Sequence, residues 1–167
     1  MAYLLDADVF ISARKRHYGF SFCPAFWDWL VRENEARNVF SIERVRTELL
    51  EQTDELSEWT RERNDGFFLS PDVATTPSFG VVNNWVNRQV NAKRYIDAAK
   101  SGFFGAADYY LVAQAYAGQF TVVTHEVCND KKSEIKIPEV CQGLDINCVD
   151  PFEMLRREKP SFVLKPI

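Results

Sequence analysis

At 167 residues and a formal net charge of −4, the chain is long enough for one domain with a buried core, here taken as residues 1–167. The acidic balance excludes a protein that coats nucleic acid by charge alone. No apolar run reaches membrane-spanning length and no basic segment precedes an apolar stretch at the start, so the expectation is a cytoplasmic chain with no membrane partner.

In chain order, "AYLLD" reads as a short buried strand. "FCPAFWDWLVRENEARN" reads as a helix with Pro24 in its first turn and Phe26, Trp27, Leu30 and Val31 on its apolar face. "VFSI" is a second strand, followed by helices through "ERVRTELLEQ" and "DELSEWTRERND" and a third strand in "GFFLSP". After Pro77 the spacing of Val82, Trp85, Val86 and Val90 predicts a helix, and "AKRYIDAAKSG" predicts a short one ending near Gly102. "GAADYYLVAQAYAG" is a helix bounded by Gly105 and Gly118, "FTVVT" a strand, "IPEVCQGL" a short helix, "INCVD" a last strand and "PFEMLRREK" a closing helix; the tail from Lys159 to Ile167 is expected to lie over the surface. Strands alternating with helices predict an α/β fold with a central parallel sheet.

Four acids stand where such a fold builds sites. Ligands of open parallel sheets lie beyond the carboxyl ends of the strands. Asp6 ends the first strand and Glu126 follows "FTVVT". Asp108 precedes Leu111, Val112, Ala115 and Tyr116 by three, four, seven and eight positions, which puts it on the inward stripe of its helix. The plainer alternative, a first-turn acid answering the helix dipole, accounts for its position along the helix but not for the face. Glu48 flanks the stripe of Ile42, Val45 and Leu49. Its alternative is a surface pair with Arg44, stabilising by about 0.3–0.5 kcal/mol. Two unit charges about 4 Å apart repel by roughly 4 kcal/mol at an effective dielectric near about 20, so clustered carboxylates need protons or a cation. The only histidines are His17 and His125, and none of Cys23, Cys128, Cys141 and Cys148 forms a C-x-x-C pair, so the expected ion is Mg²⁺ or Mn²⁺ rather than zinc.

The segments "LLDADVF", "ERVRTELL", "GAADYYLVAQA" and "FTVVTHE", in this order across nearly the whole chain, resemble those of the PIN-domain nucleases, metal-dependent ribonucleases that include toxins of bacterial toxin–antitoxin pairs. The resemblance implies a three-layer α/β/α fold around a parallel sheet of four or five strands. It also implies a catalytic centre in which Asp6, Glu48, Asp108 and Glu126 bind one or two Mg²⁺ or Mn²⁺ ions, an RNA substrate, and, for a toxin, an antitoxin protein as partner. Two positions depart from the family pattern: Asp8 stands where a small polar residue or asparagine is usual, and Glu126 where aspartate is usual.

Arg14, Lys15 and Arg16 lie beside Tyr18, Phe20 and Phe22, a composition suited to phosphates and unpaired bases; a solvated charge run beside core aromatics is the alternative. Lys131, Lys132 and Lys136 form a second basic run that reads first as a surface loop, and His125 reads as a polar residue at a strand end. Asp8 and Thr124 are accessory candidates, Thr124 to orient a carboxylate or a bound water. Trp27, Trp29 and Trp85 read as core, with a homodimer face as the outcome for any exposed subset. Two other readings compete. A strand followed by D-x-D also opens the haloacid-dehalogenase-like phosphatases, with Asp6 as nucleophile and Asp8 as general acid. A PIN fold without activity would serve only as a binding module.

Overall fold

The computed structural model describes residues 2–164. Five strands, β1 (Tyr3–Leu5), β2 (Val39–Ile42), β3 (Phe68–Leu69), β4 (Thr121–Val123) and β5 (Cys148–Val149), form one all-parallel sheet in the order β3-β2-β1-β4-β5. The register sets Tyr3 against both Val39 and Thr121, and Leu5 against Val123. Successive side chains of a strand point to opposite faces, yet every residue of β1, β2 and β4 is buried, so helices cover both faces and the fold is a three-layer α/β/α sandwich. The chain winds from β1 outward through β2 and β3, then returns to β4 on the other side. The switch in strand order therefore falls between β1 and β4.

Nine α-helices are described: α1 (Ala7–Ser12), α2 (Pro24–Glu35), α3 (Glu43–Leu49), α4 (Glu55–Arg61), α5 (Thr76–Asn91), α6 (Asp97–Gly105), α7 (Ala107–Gly118), α8 (Ile137–Gly143) and α9 (Pro151–Glu158). The largest departure from expectation is α1, together with a π-helical turn at Ala13–His17 that extends it. In the sequence Asp6 reads only as a strand end. Asp6 is also the N-cap of α1, with extended backbone angles and its side chain accepting from the Ala7 N–H. Phe10 fixes how α1 sits: its fully buried ring packs 5.9 Å from Trp59 and 6.2 Å from Phe67, centre to centre. Burial of such a ring stabilises by about 1.5–3 kcal/mol.

Three smaller corrections have local causes. α6 begins at Asp97 and runs through Gly102 to Gly105, because Ala106 turns to an extended conformation only there. Gly118 closes α7, but the left-handed residue is Gln119; Gly118 is needed because a Cβ there would strike the Phe120 ring. Tyr116, placed with the inward stripe of α7, is 41% exposed. All four tryptophans are buried, so none of them offers an outer face. Of the tail, Phe162 packs against Tyr18, Phe26 and Trp29, while residues 165–167 lie outside the described ones.

Candidate active site

Asp6 leaves β1 at the switch point and is almost wholly buried. Its Oδ1 accepts from the Ala7 N–H at 2.7 Å and its Oδ2 from the Thr124 hydroxyl at 2.9 Å. The same hydroxyl lies 3.1 Å from Oδ2 of Asp8. It has one proton, so it can donate to only one of the two carboxylates at a time. Asp8 is further held by the His125 N–H, at 3.1 and 3.0 Å from its two oxygens, and Thr124 Oγ1 accepts from the Glu126 N–H at 3.1 Å. The start of α1 and the end of β4 are thus stitched together through carboxylates, and Asp8 and Thr124 both belong to the site.

Electrostatics gather the remaining acids. Burial raises Asp6 well above the usual carboxylate range, and the charges of Asp8 and Asp108 raise it further. Asp8 is raised by burial, opposed by the His125 N–H, with Glu126 adding to the rise. Asp108, in the first turn of α7, is pushed up to about 6 by burial, then by Glu126 and Glu48, with Lys136 opposing. Glu48 is raised by partial desolvation of its carboxyl, then by Glu51 and Asp8, although the residue as a whole is exposed. Arg44 does not neutralise it: that guanidinium lies 4.2 Å above the Tyr110 ring and donates to the Tyr110 hydroxyl at 2.8 Å. Asp6, Glu48, Asp108 and Glu126, the four acids singled out in the sequence, therefore share one electrostatic site, with Asp8 as a fifth member.

Glu126 is held by Lys136, which the sequence marks only as part of a basic run, and by a backbone N–H. It accepts from Lys136 Nζ at 3.0 Å and from the Ile137 N–H at 2.9 Å. The loop carrying it is locked by Glu139, which is buried and accepts from the Asn129 N–H at 3.0 Å and the Tyr95 hydroxyl at 2.6 Å. The signal for Lys136 was its place in a basic run close behind an acid. Lys131, from the same run, pairs with Glu134.

The donor set is carboxylate oxygen, the chemistry Mg²⁺ and Mn²⁺ select. Burial is the largest cause of each raised pKa and neighbouring carboxylate charge adds to it, a cost that a bound cation would relieve in part. Among the described residues, however, no three histidine, cysteine or carboxylate side chains stand close enough to ring an ion. Asp6, Asp8 and Glu126 each accept hydrogen bonds from protein donors instead.

The basic residues divide. Arg14 is tied to Asp54 at 3.1 Å, whereas Lys15 and Arg16 are exposed. Arg14 and Lys15 line, with Glu48 and Glu51, a cleft of about 300 Å³ beside the acids. The sequence did not indicate that His17 and His125 meet, their ring centres 5.7 Å apart.

Fold and site together define a parallel α/β protein with an acidic centre at its topological switch point. The chain belongs to the family described as Domain of unknown function (DUF4411), whose model matches residues 3–162. No curated protein and no solved structure matches it significantly. Among the described residues, no helix is long and apolar enough to cross a membrane.

Proposed function

We propose that the protein is a PIN-like, metal-dependent nuclease that hydrolyses phosphodiester bonds in single-stranded RNA. The observation that carries this reading is the gathering of Asp6, Asp8, Glu48 and Asp108 beyond the carboxyl ends of the strands, where burial first and then neighbouring carboxylate charge, that of Glu126 included, raise their proton affinity. Asp6, Glu48, Asp108 and Glu126 would hold Mg²⁺ or Mn²⁺, which when bound supplies Lewis-acid polarisation of the phosphate and a water of lowered pKa.

The chain's own groups have separate tasks. Thr124 orients Asp6 and Asp8, and Lys136 balances Glu126 until a cation takes over that role. Lys15, exposed on the turn that follows α1, lines the cleft beside Glu48 and would hold the phosphates of a strand entering it, with exposed Arg16 next to it in sequence. The choice of RNA, and of a toxin restrained by an antitoxin, follows from the family resemblance. The phosphatase reading loses support because it gives no role to Asp108, whose charge presses on Asp6.

The test is cleavage of a labelled single-stranded RNA by purified protein. We expect products with Mg²⁺ or Mn²⁺, none in chelator, and a loss of at least about a hundredfold for Asp6→Asn and Asp108→Asn, both still folded. Equal cleavage in chelator would overturn the proposal, and metal binding without cleavage would favour a binding module.

A further inference from the structure

Beside the acids lies an open group of three rings. His17, from the π-helical turn after α1, stands 5.7 Å from His125, which follows β4. Phe152, in the first turn of α9 after β5, lies edge-on to His17 at 5.2 Å and to His125 at 5.8 Å. His125 and Phe152 follow β4 and β5, neighbours in the sheet, and His17 reaches them from the far end of α1 and its π-helical turn. Phe152 is 37% exposed, His17 is exposed and His125 is half-buried, unlike the tryptophans, so the group stands at the surface.

We propose that His17, His125 and Phe152 form a stacking platform for an unpaired nucleobase adjoining the phosphate held at the acidic site. The proposal rests on the nuclease reading for its choice of occupant. Location supports that occupant: the His125 N–H is bound to Asp8, and His125 lies between Thr124 and Glu126 in sequence, so anything resting on its ring borders the acids. Charge supports it too, because Lys15 and Arg16 stand exposed on the turn that carries His17. Flat amphipathic rings at a wet edge accept any base by its π-face, without reading sequence. A π-helical turn is a recurrent device for redirecting side chains at functional sites, and here it ends on His17.

The experiment measures binding of a fluorescein-labelled eight-nucleotide RNA, and of the same strand with abasic central positions, in EDTA and again in Ca²⁺. We expect the strand with bases to bind the wild type more tightly. Phe152→Ala and His17→Ala should weaken that strand about tenfold (about 1.4 kcal/mol) and leave the abasic one unchanged, while Phe152→Trp retains affinity. Melting curves confirm that each variant is folded. Equal affinity for the two strands, an equal loss on both in Phe152→Ala, or no binding in either buffer overturns the proposal. Base-dependent binding without any cleavage in Mn²⁺ would sink the nuclease reading and leave the platform standing; cleavage with unaltered Phe152→Ala binding would do the reverse.

Discussion

Asp108 carries the most direct pH signature. Its folded pKa, about 6, lies above the ordinary 3.8, so the folded chain binds this proton more tightly than the unfolded chain. Stability contributed by the group is then fully present below the unfolded value and is lost as pH rises through the folded value. The difference of about two units corresponds to at most about 3 kcal/mol, reduced by solvent around a carboxyl that is not fully enclosed. Asp108→Asn removes the titration while keeping the shape. In chelator, the variant should therefore melt progressively higher than the wild type as pH goes from about 4 to about 7, by up to several degrees at roughly 2–4 °C per kcal/mol. A melting difference that does not change over that range would show that neither burial nor Glu126 and Glu48 raise Asp108 in the folded chain. The inward placement of this residue was legible because helical periodicity is a local property. The contact of Lys136 with Glu126 was not, because it depends on how the loop after β4 folds back, which Glu139 and Tyr95 decide.

At the scale of elements, α1 joins fold to site: one helix start holds Asp6 and Asp8, and the turn at its far end presents Lys15, Arg16 and His17. Asp6 therefore has two roles, a cap for the helix and a buried charge. Two substitutions separate them. Asp6→Asn retains an acceptor for the Ala7 N–H and removes the charge; Asp6→Ala removes both. In chelator at neutral pH, urea unfolding should find Asp6→Asn more stable than Asp6→Ala by about 1 kcal/mol, the usual worth of a cap. It should also be more stable than the wild type, since the charge is opposed by burial and by Asp8 and Asp108. Equal stability of the two variants would mean the cap does not matter. The strands and α7 could be read from the sequence because apolar runs and helical spacing are dictated by burial on a known period. α1 escaped because "DVFI" continues the apolar run of β1 and so extends the strand pattern, and a π turn has no periodicity that composition would reveal. The meeting of His17 with His125 and Phe152 follows from how the turn after α1 lies over the ends of β4 and β5, which no local pattern contains.

For the whole molecule, the site is a concentration of like charge built into the most central strands of the sheet, in a protein whose net charge is already −4. A stable core tolerates this: Leu4, Leu5, Ile42, Val122 and Val123, which surround the site's base, have no exposed surface. The folded chain without a cation nevertheless keeps repulsion that the unfolded chain, with its acids dispersed, does not have. Any ion that binds only the folded arrangement must stabilise it by mass action. At a hundredfold excess over its Kd the gain is about 2.7 kcal/mol, or roughly 5–10 °C for a chain of this size. Mn²⁺ and Mg²⁺ should therefore raise the melting temperature saturably, and more at neutral pH than near pH 4, where protons already neutralise the acids. Asp108→Asn should blunt the response and Asp6→Asn should remove most of it, whereas a distant charge change such as Glu62→Gln, in a surface pair with Arg63, should leave it intact. A calorimetric melt over a Mn²⁺ series decides the matter without any substrate. A flat response at every ion concentration would mean that the protein donors now holding Asp6, Asp8 and Glu126 are their permanent partners, and that protons alone relieve the cluster.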